Sequence, residues 1–196
     1  MIQTLQNSLS FLQCSVGLVT TLLKELKPRK SPGPDGIHQL IRKNCADTLA
    51  TSICKISNLS FSLGKVPDCW KQADIILLHK KGAKNNCKNY RPVSLTPILC
   101  KVCARQHLVE FWISKNIFIS DQFGFMKGRS SLSQLLTVFH GWAQNRNNGL
   151  STDVVLLDFS KAFDFVSFER LLLKLQAYGI RDPLLLWVRS FLTNRH

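Results

Sequence analysis

The chain has 196 residues, 45% of them apolar, enough for one cored domain or two small subdomains and too apolar for a disordered tail. Lysine and arginine number 26 against 12 acidic residues, and this net charge of +14 suits a polyanionic partner, nucleic acid first. Seven cysteines, an odd count without the dense pairing of a secreted scaffold, point to reduced thiols and so to a nuclear or cytoplasmic chain that is not secreted.

Residues 1–23 carry no charged side chain. Polar residues interrupt the apolar ones and no basic segment precedes them, so a signal peptide is not expected. Ile2, Leu5, Leu9, Leu12, Val16, Val19, Leu23 and Leu26 alternate steps of three and four, which predicts an amphipathic helix interrupted near Ser15 or Gly17. No apolar run reaches the length of a membrane span, and no membrane partner is expected. Three prolines and two glycines in residues 27–36 forbid helix and fix a stiff turn. Residues 37–63 then read as helix, closed by Gly64 with Pro67 beyond.

Residues 73–79 read as a strand and 91–96 as a second, with a basic polar loop between them. Helices are expected over about 97–115 and 130–146. Cys100, Cys103 and His107 lack a fourth ligand at zinc-finger spacing, so buried thiols on a helix are the better reading than zinc. Val154, Val155, Leu156 and Leu157 form an apolar, partly β-branched run that reads as a buried strand. It stops at Asp158. A carboxylate at a strand's mouth suits a hard cation such as Mg²⁺, but taken alone these residues favour Asp158 as the cap of a helical turn starting at Ser160. Helices at about 168–177 and 183–192 end the chain. The mixture is α+β and helix-rich, with few strands.

Four segments stand in a particular order. They are Lys30-Ser-Pro-Gly-Pro-Asp-Gly-Ile37, Asn89-Tyr-Arg-Pro-Val-Ser-Leu95, Asp121-Gln-Phe-Gly-Phe-Met-Lys-Gly-Arg-Ser130 and Leu157-Asp-Phe-Ser-Lys-Ala-Phe-Asp164. In this order they resemble the reverse transcriptase, an RNA-directed DNA polymerase, of jockey-like and LINE-like retrotransposons that lack long terminal repeats. The resemblance runs from about Val16 to the last residue.

It implies a right-hand polymerase, here fingers plus an incomplete palm with a small antiparallel sheet that includes the Asp158 strand. The expected organisation is an N-terminal helical region over 1–30, fingers and the start of the palm over 31–150, and a partial palm over 151–196. It implies an RNA template, a DNA primer and deoxynucleoside triphosphates as partners, and two Mg²⁺ ions as cofactors in the complete enzyme. Arg91, with Lys80 or Lys81, would grip the triphosphate. The residues themselves allow a plainer reading, a solvated loop whose lysines discourage edge pairing. Phe163 would sit under the nucleotide sugar and reject a 2′-hydroxyl by its bulk; taken alone it would be a core phenylalanine. Gln122, Gly124 and Phe125 would lie near the template strand and the nascent base pair, where charge and aromatic stacking suit single strands. Asp158 would be the first catalytic carboxylate and, with the Phe159 carbonyl, a metal ligand.

The pattern also fails in places. The family binds its two metals with a further adjacent Asp pair, and this sequence contains no Asp-Asp. The expectation is a fragment that ends before that motif, without thumb or endonuclease domain, and inactive alone. A non-catalytic basic remnant that binds nucleic acid is the alternative.

Overall fold

The computed structural model describes residues 8–29 and 31–195, apart from the side chains of 98–103, 105 and 106. It divides into two compact units, one from the described residues of Met1–Phe111 and Ser167–His196, the other from Trp112–Val166.

The first unit is a helical layer carrying a hairpin. Helix α1 (Val16–Lys24) starts where Ser15 accepts from the Leu18 N–H, and it packs Val19 and Leu23 against the helix of residues Ala46–Leu63. Helices α2 (Gln39–Asn44) and α3 (Ala46–Leu63) break at Cys45. Every third or fourth residue of α3, among them Ala46, Ala50, Ile53, Cys54, Ser57 and Phe61, is buried, the stripe an amphipathic helix turns to a core. Gly64 closes α3 in the left-handed region at φ 61°. A Cβ there would also stand 2.9 Å from the Pro183 carbonyl oxygen.

Helices α6 (Phe168–Ala177) and α7 (Leu184–Leu192) return to the same core, where Leu172, Leu175, Leu184 and Trp187 are buried. The Trp187 ring lies 5.0 Å from Phe61, and its Nε1–H donates to the buried Ser60 Oγ at 2.8 Å. An aromatic with one polar atom fits a core only where that atom finds a partner.

The N-terminal expectation needs correction. Ile2 and Leu5 lie outside the described residues. Residues 8–14 are extended, not helical. Leu9 bridges Ile180 in parallel, donating to the Gly179 carbonyl at 2.8 Å and accepting from the Arg181 N–H at 3.0 Å. Over residues 11–14 burial alternates, Phe11 and Gln13 out, Leu12 and Cys14 in, the period of a strand. Asn58 fixes this segment through both polar groups of the Cys14 backbone, at 2.8 and 3.0 Å. Ser15 therefore starts a helix rather than interrupting one.

Strands β1 (Asp74–His79) and β2 (Tyr90–Leu95) pair antiparallel, with Leu78 opposite Arg91 and His79 opposite Tyr90. They are the whole of the sheet among the described residues. Helix α4 (Ile98–Ser114) follows, as expected. In the second unit, α5 (Ser131–Asn147) opens on a capping box between Ser130 and Ser133.

The strand expected over 154–157 is absent, and with it the sheet that was to hold Asp158. Residues 151–159 take no regular structure, and 160–165 form turns rather than a capped helix. Leu156 is 91% exposed and Leu157 88%. A β-branched apolar run supplies strand propensity, but a strand also needs a neighbour to bond its N–H and C=O groups. No described strand takes that place.

Candidate nucleic-acid interface

The hairpin of the first unit is built for exposure. All six residues of β1 are exposed, as are the four central residues of β2. Its tip is ordered by its own polar groups. The Lys80 N–H donates to the Asn89 carbonyl at 2.7 Å, extending the ladder by one pair. Asn89 Nδ2 donates to the Ala83 carbonyl at 2.8 Å, and the Tyr90 hydroxyl donates to the Lys84 carbonyl at 2.8 Å. Gly82, at φ 82°, gives the chain room to pass Asn89, since a Cβ would meet its Nδ2 at 2.7 Å. The sequence reading missed Asn89 as the organiser of this loop; the glycine at 82 was the signal that the tip turns tightly.

The register separates the two lysines. Residues directly opposite on an antiparallel pair share a face, and alternate residues along a strand do too. Leu78 faces Arg91, so Lys80, two residues on and opposite Asn89, lies on the Arg91 face. His79 and Tyr90 occupy the other face, their rings 5.3 Å apart and edge to face. Lys81 lies beyond the ladder. None of Lys80, Lys81, Lys84, Lys88 and Arg91 forms an ion pair among the described residues. Unpaired cations on an exposed arm are free to meet phosphate oxygens, Arg through a planar fork and Lys as a point charge.

The second unit holds an exposed aromatic pair. Phe125 and Phe163 meet edge to face with centroids 6.2 Å apart, although each is exposed, at 84% and 79%. Phe163 is thus not the core residue that a phenylalanine most often becomes. The loop before α5 is tied by Arg129. Its Nη1 donates to the Ser120 carbonyl and, at 2.9 Å, to the Gln122 carbonyl, while the guanidinium lies 5.1 Å over the Phe123 ring. Gln122 Nε2 reaches the Gly124 carbonyl at 3.4 Å. Phe125 takes a left-handed φ of 63°, a conformation unusual for a bulky residue, and it presents the ring outward. Gln122, Gly124, Phe125 and Phe163, all expected at the site, therefore belong to one cluster.

Asp158 and Phe159 lie five and four residues before Phe163, both exposed. Among the described residues no group of three His, Cys, Asp or Glu side chains is arranged to hold a metal. A lone carboxylate does not fit a two-metal centre, which needs several oxygen ligands per ion. The side chains of Cys100 and Cys103 lie outside the described set, and the zinc alternative gains nothing from His107 alone.

A family model for reverse transcriptase (RNA-dependent DNA polymerase) matches residues 78–196, more than half of the chain. The chain belongs to the reverse transcriptase family. The match begins inside β1 and takes in the basic hairpin, the Phe125–Phe163 cluster and Asp158. Three curated relatives agree. The RNA-directed DNA polymerase from mobile element jockey of Drosophila melanogaster is 31% identical over 195 residues, covering 97% of this chain and 21% of its own length. The probable RNA-directed DNA polymerase from transposon BS of the same fly is 28% identical over 176 residues, 88% of this chain and 19% of its own length. The transposon TX1 uncharacterized 149 kDa protein of Xenopus laevis is 31% identical over 158 residues, 80% of this chain and 12% of its own length. This reverse transcriptase segment thus spans about a fifth or less of the relatives it matches. It is a reverse transcriptase domain fragment of the retrotransposon type, with helices and a small antiparallel hairpin.

Proposed function

We propose that this chain is the fingers and the beginning of the palm of a right-hand polymerase, which in a complete protein copies an RNA template into DNA from a primer. The observation that carries the reading is the hairpin. Its match to the family coincides with exposed, unpaired cations, two of which the strand register sets on one face. Lys80 and Arg91 grip the phosphates of the incoming deoxynucleotide, and Lys81 contributes less. Phe163 lies under the sugar and selects against a 2′-hydroxyl by bulk. Gln122, Gly124 and Phe125 line the path of the template and the new base pair. In a complete protein Asp158 would supply one carboxylate, and the Phe159 carbonyl one further oxygen, to a divalent-metal site completed by other ligands, with Mg²⁺ the hard cation such ligands suit. The free cysteines among the described residues and the nucleic-acid substrates proposed here support work in the nucleus or cytoplasm.

The test is binding of a fluorescent deoxynucleoside triphosphate to the chain at low salt. Lys80→Ala and Arg91→Ala should each weaken binding about tenfold, the loss of one charge-assisted hydrogen bond. Lys81→Ala should weaken it no more than about twofold. Equal losses from Lys80→Ala and Lys81→Ala would remove the face assignment, and no loss from Arg91→Ala would remove the phosphate grip itself.

A further inference from the structure

Helix α2 buries a charge. Arg42 is 2% exposed, and a guanidinium out of water is costly unless it is paired. Its Nη2 donates to Asp35 Oδ2, its ion pair among the described residues, and its Nη1 has no hydrogen-bond partner there. Asp35 belongs to the Ser-Pro-Gly-Pro-Asp-Gly turn. Its other oxygen accepts from the Ile37 N–H at 3.2 Å, and the turn closes through Gly36 N–H to the Gly33 carbonyl at 3.0 Å. At the other end, the 2% exposed Gln39 reaches the Ser31 carbonyl with Nε2 at 3.5 Å. Both ends of the turn are therefore tied to α2.

The middle of the turn touches something else. Gly33 is buried, and a Cβ on it would lie 3.6 Å from Pro97 Cα and 3.8 Å from the Thr96 carbonyl oxygen. Thr96 and Pro97 follow β2 directly. The hairpin is exposed along both strands, so its direction is set at its root. The turn stands against that root on the β2 side.

We propose that the Asp35–Arg42 pair is a brace that holds the Pro-Gly-Pro turn against Thr96 and Pro97 and so aims the basic hairpin. Its bearing on nucleotide binding rests on the phosphate-gripping reading of Lys80 and Arg91. The mechanical statement does not. Arg42 anchors in the helical layer, Asp35 carries the restraint into a turn stiffened by proline, and the turn meets the hairpin root at Gly33. Without the carboxylate, Arg42 is left buried and unpaired, and α2 and the turn separate.

Backbone ¹⁵N order parameters of the chain without nucleotide test this. In the parent chain both the ladder of residues 76–93 and α3 should show values of about 0.85. In Asp35→Ala the ladder should fall below about 0.6 while α3 keeps its value. Asp35→Asn, which keeps the shape and removes the charge, should do the same, and Asp35→Glu should restore order. Triphosphate affinity, measured in parallel, should fall about tenfold in Asp35→Asn. A folded Asp35→Asn with an unchanged ladder would overturn the brace. So would equal loss of order in α3 and the ladder, or global unfolding of both neutral variants, since either makes the pair a general stabiliser. If the parent chain binds no triphosphate but the ladder loosens as expected, the brace stands and the phosphate-gripping reading falls.

Discussion

Gly64 shows how a single residue meets two demands. It ends α3 with a positive φ, and it lets the chain pass Pro183 and Leu186 where a side chain would collide. Gly64→Ala should destabilise the first unit by about 2–3 kcal/mol, the sum of a strained φ and a backbone contact that cannot give. The midpoint of thermal unfolding should fall by roughly 5–10 °C. An unchanged midpoint would mean that α3 and the loop before α7 move apart at little cost. Only half of this was legible in the sequence. A helix pattern ended by Gly, with Pro three residues on, gave the cap. The approach of Pro183, more than a hundred residues later, is a tertiary contact that no local pattern encodes. Phe163 illustrates the same divide. Its register with Asp158 marked it as a site residue, whereas its edge-to-face contact with Phe125 had no local signal.

Among the elements, those defined by their own caps or turns were read correctly. The hairpin, α4, α5, α6 and α7 fall within about two residues of expectation, and α3 ends at Gly64 as expected, but the single helix expected over residues 37–63 is divided at Cys45 into α2 and α3. The errors at residues 8–14 and 154–157 have one physical origin. Residues 8–14 carry a helical spacing, yet they bind the loop before α7 as an extended segment, because the Asn58 side chain and the backbone of residues 179–184 satisfy their polar groups. Residues 154–157 carry strand chemistry but have no described ladder partner. In both cases the partner, not the propensity, decided. The hairpin yields an element-scale prediction. Binding of single-stranded RNA should weaken linearly on a log–log plot against salt, by about 0.7 per phosphate neutralised. Changing Lys80, Lys84, Lys88 and Arg91 together to Ala should flatten that slope by about 2–3, with the helical content unchanged by circular dichroism. A slope that stays the same would place the nucleic-acid contacts on the remaining basic surface.

For the molecule as a whole, a net charge of +14 and the match to the reverse transcriptase family argue for contact with nucleic acid, while chemistry demands more than contact. Two hard cations roughly 3.5–4 Å apart must activate a 3′-hydroxyl and steady the departing pyrophosphate. Each needs several oxygen ligands, and their mutual repulsion has to be offset by negative charge. Asp158 offers one carboxylate on an exposed, irregular segment, and the sequence has no adjacent Asp pair to complete the set. The purified 196-residue chain, given Mg²⁺, an annealed primer–template and deoxynucleotides, should therefore extend no more primer than a control without protein. Binding of the same primer–template should still be measurable at low salt, because phosphate contacts do not require the metals. Extension above the control that Asp158→Asn abolishes would show that the chain recruits its missing carboxylates, from a second copy or from another element, and the inactive-fragment reading would then fail.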